Sequence, residues 1–337
     1  MLAFFLCFLI YPQAHDFEKL IILPYIFALS YTHEIEVFCC IKMNKHLFFF
    51  CSQIDMNELQ KKQLDILKAF IKVCEKHNLR YFLVGGTALG AIRHKGFIPW
   101  DDDIDVGMPR EDYDKFVLLQ DEYKDTPYFI QTFKTDPCYI YNFGKLRDSS
   151  TTFIESQYKN HRINHGVWID IFPIDGFSKE IKPRETFKKK ITHLWWQVYF
   201  AYLPSLRRKV RKETWFKDIL LNIVAGLFYI FDIAHYRNKR IERIAHKIPL
   251  NESVMAGNYF GFNMKKEAMD TNLFKEFVKV PFEDIEANVV KDYDTYLRNL
   301  YGDYMTPPPP EKQIGHHYNK GLSLEMGYEE YLKKHKI

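Results

Sequence analysis

Four aspartates crowd one short stretch of the chain, at Asp101, Asp102, Asp103 and Asp105, and a glycine pair, Gly85-Gly86, precedes them. Paired glycines let a backbone come close to a phosphate, and a helix that begins there offers its free N–H groups to an anion. In an extended strand alternate residues share a face, so Asp103 and Asp105 project together while Ile104 and Val106 turn to the core. Two carboxylates a few ångströms apart repel, and a hard cation such as Mg²⁺ offsets that repulsion through oxygen ligands at roughly 2.1 Å. A metal on one side and a phosphate cradle on the other describe phosphoryl transfer, in which the protein positions groups and neutralises charge. The competing reading is an acidic surface turn or a calcium loop. An EF-hand loop needs Asp or Asn at alternate positions, a central Gly and a Glu in twelfth place, and that pattern is absent. Gly85-Gly86 alone would equally serve an ordinary turn.

Basic and aromatic residues extend the set. Arg93, His94 and Lys95 form a cationic cluster, and because a guanidinium fork suits phosphate oxygens, Arg93 is the first choice for a phosphate clamp. Lys145 and Arg147 alternate on an expected strand; they would face one nucleotide, or else be exposed residues of an edge strand. His316 and His317, beyond the four prolines at 307–310, would cover the site from the C-terminal side or satisfy local hydrogen bonds. A quaternary ammonium wants aromatic faces within about 6 Å, and Trp100, beside the aspartates, is the natural candidate. Trp195 and Trp196 read instead as core or membrane-facing packing.

The elements that must position these residues follow from periodicity. Leu59, Leu64, Leu67, Phe70, Ile71 and Cys74 form a helical stripe that ends near His77 and Asn78. Residues 80–84 predict a buried strand running into Gly85-Gly86, with Thr87 capping a short helix through Ile92. Residues 103–106 predict a second strand, and Pro109 opens a helix over 110–120. Further strands are expected at 128–133, 139–147 and 167–172, with Pro173 and Gly176 ending the sheet. Residues 184–247 predict two long helices separated near Pro204, the second carrying the apolar run 219–231. That run is shorter than the roughly 20 residues a membrane span needs, so it is a buried or interfacial helix. A last helix is expected over 285–300.

At 337 residues and 47% hydrophobic content the chain can build a real core. The net charge of +4 conceals an asymmetry, because residues 179–247 hold 17 Lys/Arg against 6 Asp/Glu and the remainder is acidic. Such a segment suits anionic lipid or phosphate, or is a solvated helix face. Of six cysteines, four precede the first convincing element, and no spacing suits structural zinc or a disulfide framework, in keeping with a reducing compartment. Residues 1–55 show neither helical nor strand period and no basic region before the apolar run at Leu2, so an upstream extension of the reading frame is expected, with the start at Met43 or Met56. A membrane-associating leader is the alternative.

The stretch YFLVGGTALGAIRHKGFIPWDDDIDVGMPREDYDKF, residues 81–116, resembles the core motif of the LicD family of phosphocholine transferases, which includes the fukutin-type enzymes and belongs to the nucleotidyltransferase superfamily. GKLRDSSTTF at 144–153, GVWIDIFPIDG at 166–176 and YGDYMTPPPPEKQIGHH at 301–317 fit as well, so the resemblance covers about residues 56–325. Gln313 departs from it, standing where a basic residue is expected. The resemblance implies that Asp103 and Asp105 are metal ligands and that Asp170 is the third carboxylate, completing the metal site or taking the proton of an attacking hydroxyl. Asp101 and Asp102 would then support the ligands or touch substrate. Asp175, past Pro173, is expected to cap a turn, with reaching the site as the alternative.

The expected fold is therefore α/β (α+β): a nucleotidyltransferase-type core with a mixed sheet over 56–178, a basic apolar helical insertion over 179–250 and a C-terminal cover over 251–337. The expected function is Mg²⁺- or Mn²⁺-dependent transfer of a phospho-substituent from a CDP-activated donor, CDP-choline first, to a hydroxyl of a cell-surface glycan or its lipid-linked precursor. Asp103, Asp105 and Asp170 would carry the reaction, and Gly85, Gly86, Thr87, Arg93, Trp100, Lys145, Arg147, His316 and His317 would bind substrate. The expected setting is the cytoplasm, with peripheral contact at an anionic inner membrane face and no nucleic-acid partner. Two competitors remain: a nucleotidyltransferase that releases pyrophosphate from an NTP, and a non-catalytic membrane-docked glycan-binding protein.

Overall fold

The computed structural model describes residues 56–159, 161–177, 189–195, 198, 215–260, 264–315 and 317–336. The leader at 1–55, the expected break at Pro204, Trp196 and His316 lie outside the described residues.

Helix α1 (Met56–Lys76) carries the stripe read from the sequence, with Ile66, Leu67, Phe70 and Cys74 fully buried. It stops where Asn78 takes a left-handed φ of 52° and the Leu79 N–H donates back to the Cys74 carbonyl. There follow β1 (Phe82–Leu83), α2 (Gly85–Arg93), β2 (Asp105–Pro109), α3 (Arg110–Phe116), β3 (Tyr128–Gln131), β4 (Gly144–Asp148), β5 (Thr152–Glu155) and β6 (Val167–Phe177). One mixed sheet has the order β1-β2-β6-β4-β3, in which β2 and β6 are parallel and the other pairs antiparallel. This is the mixed α/β layout the sequence predicts. Ile104, Val106, Ile169 and Ile171 fill the core together with Phe82 of β1 and Phe70 of α1.

Several boundaries differ, each for a physical reason. Pro173 and Gly176 do not end the sheet, because β6 runs through both to Phe177. On one edge β6 pairs with β4 as far as Ile171 and with β7 (Met255–Asn258) from Ile174, so Pro173 falls in the gap between partners, where its missing N–H costs no ladder bond on that edge. Asp175 consequently does not cap a turn; it is a buried strand residue held bidentately by Arg110, at 2.7 and 2.6 Å. β5, which the sequence reading misses, pairs with β11 (Asn319–Ser323), tying the C-terminal segment to the sheet region.

The insertion supplies helical residues 189–195, then α4 (Trp215–Ile230) and α5 (Ile233–Ala245), parted at Asp232 by a left-handed φ of 48°. Beyond β7 come α6 (Met264–Glu267) and β8 (Met269–Asp270), which pairs with β7. The helix expected over 285–300 is half strand. β9 (Phe277–Phe282) and β10 (Ile285–Val290) form a hairpin in which Ala287 and Val289 are buried while Glu286 is exposed, a period of two rather than 3.6. Helix α7 (Tyr293–Tyr301) begins only after Asp292, whose carboxylate accepts the Thr295 N–H at 3.2 Å. Helix α8 (Tyr328–His335) closes the described chain.

Candidate active site

Strand register builds the site. Asp105 on β2 lies opposite Asp170 on β6, and Lys145 on β4 lies opposite Asp170 from the other side. The three side chains form a row across three neighbouring strands. Asp103 precedes β2 rather than opening it, yet Asp103, Asp105 and Asp170 bring one carboxylate oxygen each within 4.8 Å of one another. Burial, reinforced by the negative charges of Asp103, Asp170 and Asp101, holds the Asp105 carboxyl well above the ordinary range. Asp101 is pushed up to about 8, first by burial and then by Asp103, Asp102 and a hydrogen bond to Asp103.

The aspartate loop is held from three directions. On α1, Gln60 and Gln63 donate to the carbonyls of Asp101 and Asp102 at 2.9 and 2.8 Å. Thr87, inside α2 rather than capping it, is buried and its hydroxyl accepts the Asp105 N–H at 2.8 Å. Its side chain shapes the site through Asp105. From the C-terminal segment, the His317 N–H donates to Asp102 Oδ2 at 2.8 Å while its Nδ1 lies 3.0 Å from Asp102 Oδ1 and 3.8 Å from Asp103 Oδ2. Burial opposes a charged ring there, but the bond to Asp102 and the charges of Asp103 and Glu155 outweigh it, and His317 is pushed up to about 9. Asp102, Asp103 and His317 also bring one possible ligand atom each within 4.8 Å of one another, sharing Asp103 with the first cluster.

The cluster suits a divalent cation on two observations. Lys145 Nζ stands 2.8 Å from Asp170 Oδ1 but outside hydrogen-bond geometry, so this buried oxygen has charge compensation and no hydrogen bond. A Cβ on Gly85 would lie 3.3 Å from Asp105 Oδ2, and Gly85 has φ +55°; glycine therefore keeps open the space beside the carboxylates. A Cβ on Gly86 would meet Asp101 Oδ2 at 2.8 Å. The donors Asp103, Asp105 and Asp170 are all carboxylate oxygens, which suits hard cations.

Residues 78–210 match the LicD/FKTN/FKRP nucleotidyltransferase domain. The chain is 30% identical over 277 residues, 81% of its length and 99% of the relative's, to the lipopolysaccharide cholinephosphotransferase LicD of Haemophilus influenzae. The chain belongs to the LicD family. It is also 34% identical over 110 residues to an uncharacterised protein of Rickettsia typhi, covering 30% of this chain and 36% of that one. Human ribitol 5-phosphate transferase FKRP is 50% identical over 42 residues, 12% of this chain and 8% of that one.

Of the residues singled out from the sequence, the fold gathers Gly85, Gly86, Asp103, Asp105, Asp170, Lys145 and His317 around one centre. Arg147 goes elsewhere: it is fully buried, its guanidinium bonded to Gln131 and to the Gly166 carbonyl at 2.7 Å, with Glu155 at 3.7 Å. Arg93 donates to the Tyr304 carbonyl at 2.7 Å, fastening the segment after α7 to α2. Trp100 is half-buried and meets His94 edge-on. The sequence reading misses Trp168, whose ring carries Lys145 Nζ at 4.1 Å and the Arg147 guanidinium at 4.9 Å, and which meets His317 at 5.4 Å. A signal is present: two places before Asp170 on one strand, Trp168 must share its face. Also missed is Tyr296, whose hydroxyl accepts the Gly85 N–H at 3.1 Å across 211 residues of sequence, a pairing no local pattern foretells.

Proposed function

We propose that this protein is a phosphotransferase that moves phosphocholine from CDP-choline to a hydroxyl of a cell-surface glycan or its lipid-linked precursor, using Mg²⁺ or Mn²⁺. The observation that carries this is the row Asp105–Asp170–Lys145, with Asp103 beside it, at the N-terminus of α2. The name of the Haemophilus relative, a lipopolysaccharide cholinephosphotransferase aligned over nearly its whole length, supports choline as the head group. Asp103, Asp105 and Asp170 would hold the cation, which when bound supplies positive charge opposite the phosphate oxygens.

The chain's own groups do the rest. The Gly85 N–H is committed to Tyr296, leaving the Gly86 and Thr87 N–H groups of α2 to face an anionic oxygen. Lys145 balances Asp170 within the row, and a protonated His317 holds Asp102 and with it the turn of the aspartate loop. In the transfer the acceptor oxygen forms a bond to the choline-bearing phosphorus, the P–O bond to the CMP phosphate breaks, and CMP leaves. The carboxylates of the cluster are the groups in place to take the hydroxyl proton.

For the acceptor's setting, we place the protein on an anionic membrane face. No helix among the described residues is long and apolar enough to cross a membrane. Trp215, Ile219, Ile223 and Leu227 nonetheless form an exposed ridge at every fourth residue of α4, continued by Phe231, and Lys239, Arg243 and Lys247 are exposed on or just after α5. The test of the reaction is product analysis with a panel of CDP-alcohols and with CTP. CMP from CDP-choline supports the proposal; pyrophosphate from CTP, without CMP from any CDP-alcohol, overturns it in favour of nucleotidyl transfer.

A further inference from the structure

Helix α7 ends on Tyr301, a residue 45% exposed whose hydroxyl nevertheless turns inward. A Cβ on Gly85 would lie 3.8 Å from Tyr301 Oη and 3.3 Å from Asp105 Oδ2, so phenol and carboxylate flank one small space over the first turn of α2. The position of α7 is set by its neighbours: Tyr296 takes the Gly85 N–H at 3.1 Å, and Arg93 holds the Tyr304 carbonyl at 2.7 Å. Tyr301 Oη itself has no hydrogen-bond partner among the described residues. A phenol keeps its proton at neutral pH and so offers a hydrogen-bond donor here.

A donor that faces this space without bonding the carboxylates themselves calls for an acceptor oxygen on a ligand. We infer that Tyr301 is a substrate-binding residue whose hydroxyl donates to a non-bridging oxygen of the transferred phosphoryl group, beside the Gly86 and Thr87 N–H groups. This rests on the phosphoryl-transfer reading of the site and adds a residue from the C-terminal segment to it. Donors aimed at such an oxygen act mainly where charge develops, so losing one lowers kcat more than it raises KM.

Tyr301→Phe keeps the ring and the helix end, and its melting temperature is expected to match the wild type. Binding of pyrophosphate with Mg²⁺, measured by calorimetry, presents the phosphate chemistry without base or choline; Tyr301→Phe is expected to weaken it about 10-fold. With CDP-choline the same variant is expected to lose about 10- to 100-fold in kcat, with KM within about threefold. Equal pyrophosphate affinity in the two proteins, no pyrophosphate binding to the wild type, or a lower melting temperature that accompanies the weaker binding would each overturn the inference. Wild-type protein that binds pyrophosphate through Tyr301 but ignores CDP-choline would remove the donor assignment and leave the tyrosine's role standing.

Discussion

Replacing Lys145 by methionine keeps the apolar stem of the side chain but removes the ammonium that stands 2.8 Å from Asp170 and 4.1 Å from the centre of the Trp168 ring. Both partners are nearly shut off from water, with side-chain exposures of 4% and 9%, so screening does little for the carboxylate left behind. Breaking a buried pair by deleting one partner costs about 3–5 kcal/mol. The lower end is taken here. About 3 kcal/mol corresponds to a fall in melting temperature of about 6–12 °C for a domain of this size. Saturating Mg²⁺ is expected to act on the same charge imbalance: a ligand at 100 times its Kd stabilises by about 2.7 kcal/mol, and more where it binds more tightly. The wild type gains that stabilisation too, so the deficit of Lys145→Met narrows only by the variant's tighter binding: a tenfold lower Kd, expected where one more carboxylate is left uncompensated, removes about 1.4 kcal/mol, roughly half of it, as read by differential scanning calorimetry on both proteins in EDTA and in Mg²⁺. A deficit of equal size in EDTA and Mg²⁺ would refute the idea that Lys145 and a metal ion neutralise the same carboxylates.

Three further outcomes follow from the same geometry. Asp105→Asn relieves repulsion among Asp103, Asp105 and Asp170, so without metal it is expected to be as stable as the wild type or more so, while turnover falls at least about 10³-fold and the Mg²⁺-induced rise in melting temperature vanishes; retained activity contradicts the ligand assignment. His317→Gln probes the raised imidazolium: the wild type's advantage in melting temperature, measured without metal, is full below the unfolded-state pKa of about 6.5 and is lost as pH rises through about 9. A pH-independent gap would mean that His317 is not charged in the fold. Co-sedimentation with anionic vesicles is expected at low salt and to weaken at high salt, since attraction is screened over roughly 8–10 Å, and Ile223→Asp with Leu227→Asp should abolish it; equal, negligible binding to anionic and neutral vesicles removes the membrane part of the proposal.

Much of the site is legible in the order of the amino acids. The aspartate run itself announces the cluster, although Asp103 joins Asp105 from the turn before β2 and not by strand alternation, and the amphipathic stripe from Leu59 to Cys74 makes α1 certain to pack against the sheet. What local pattern does not carry is register. Nothing near Lys145 says that it, and not Arg147, stands opposite Asp170; only the pairing of β4 with β6 decides it. The same holds for Pro173, whose usual meaning as a strand terminator is overridden by a change of partner. Residues 285–290 mislead for another reason: a short alternating run that leads directly into a genuine helix reads as that helix's first turns. Of the contacts across more than 200 residues, His317 to Asp102 is suggested only by the chemistry of the residue types, and Tyr296 to Gly85 is not suggested at all.

The most direct test of phosphocholine transfer follows both products of one reaction. Purified protein is incubated with CDP-choline labelled in the choline, a glycan acceptor and Mg²⁺, and CMP and glycan-bound label are counted together. CMP and choline-bearing glycan are expected in equal amounts, with none of either in EDTA and none with Asp103→Asn. CMP formation that persists in EDTA, or that proceeds without label reaching the glycan, would contradict a metal-dependent transfer at this site.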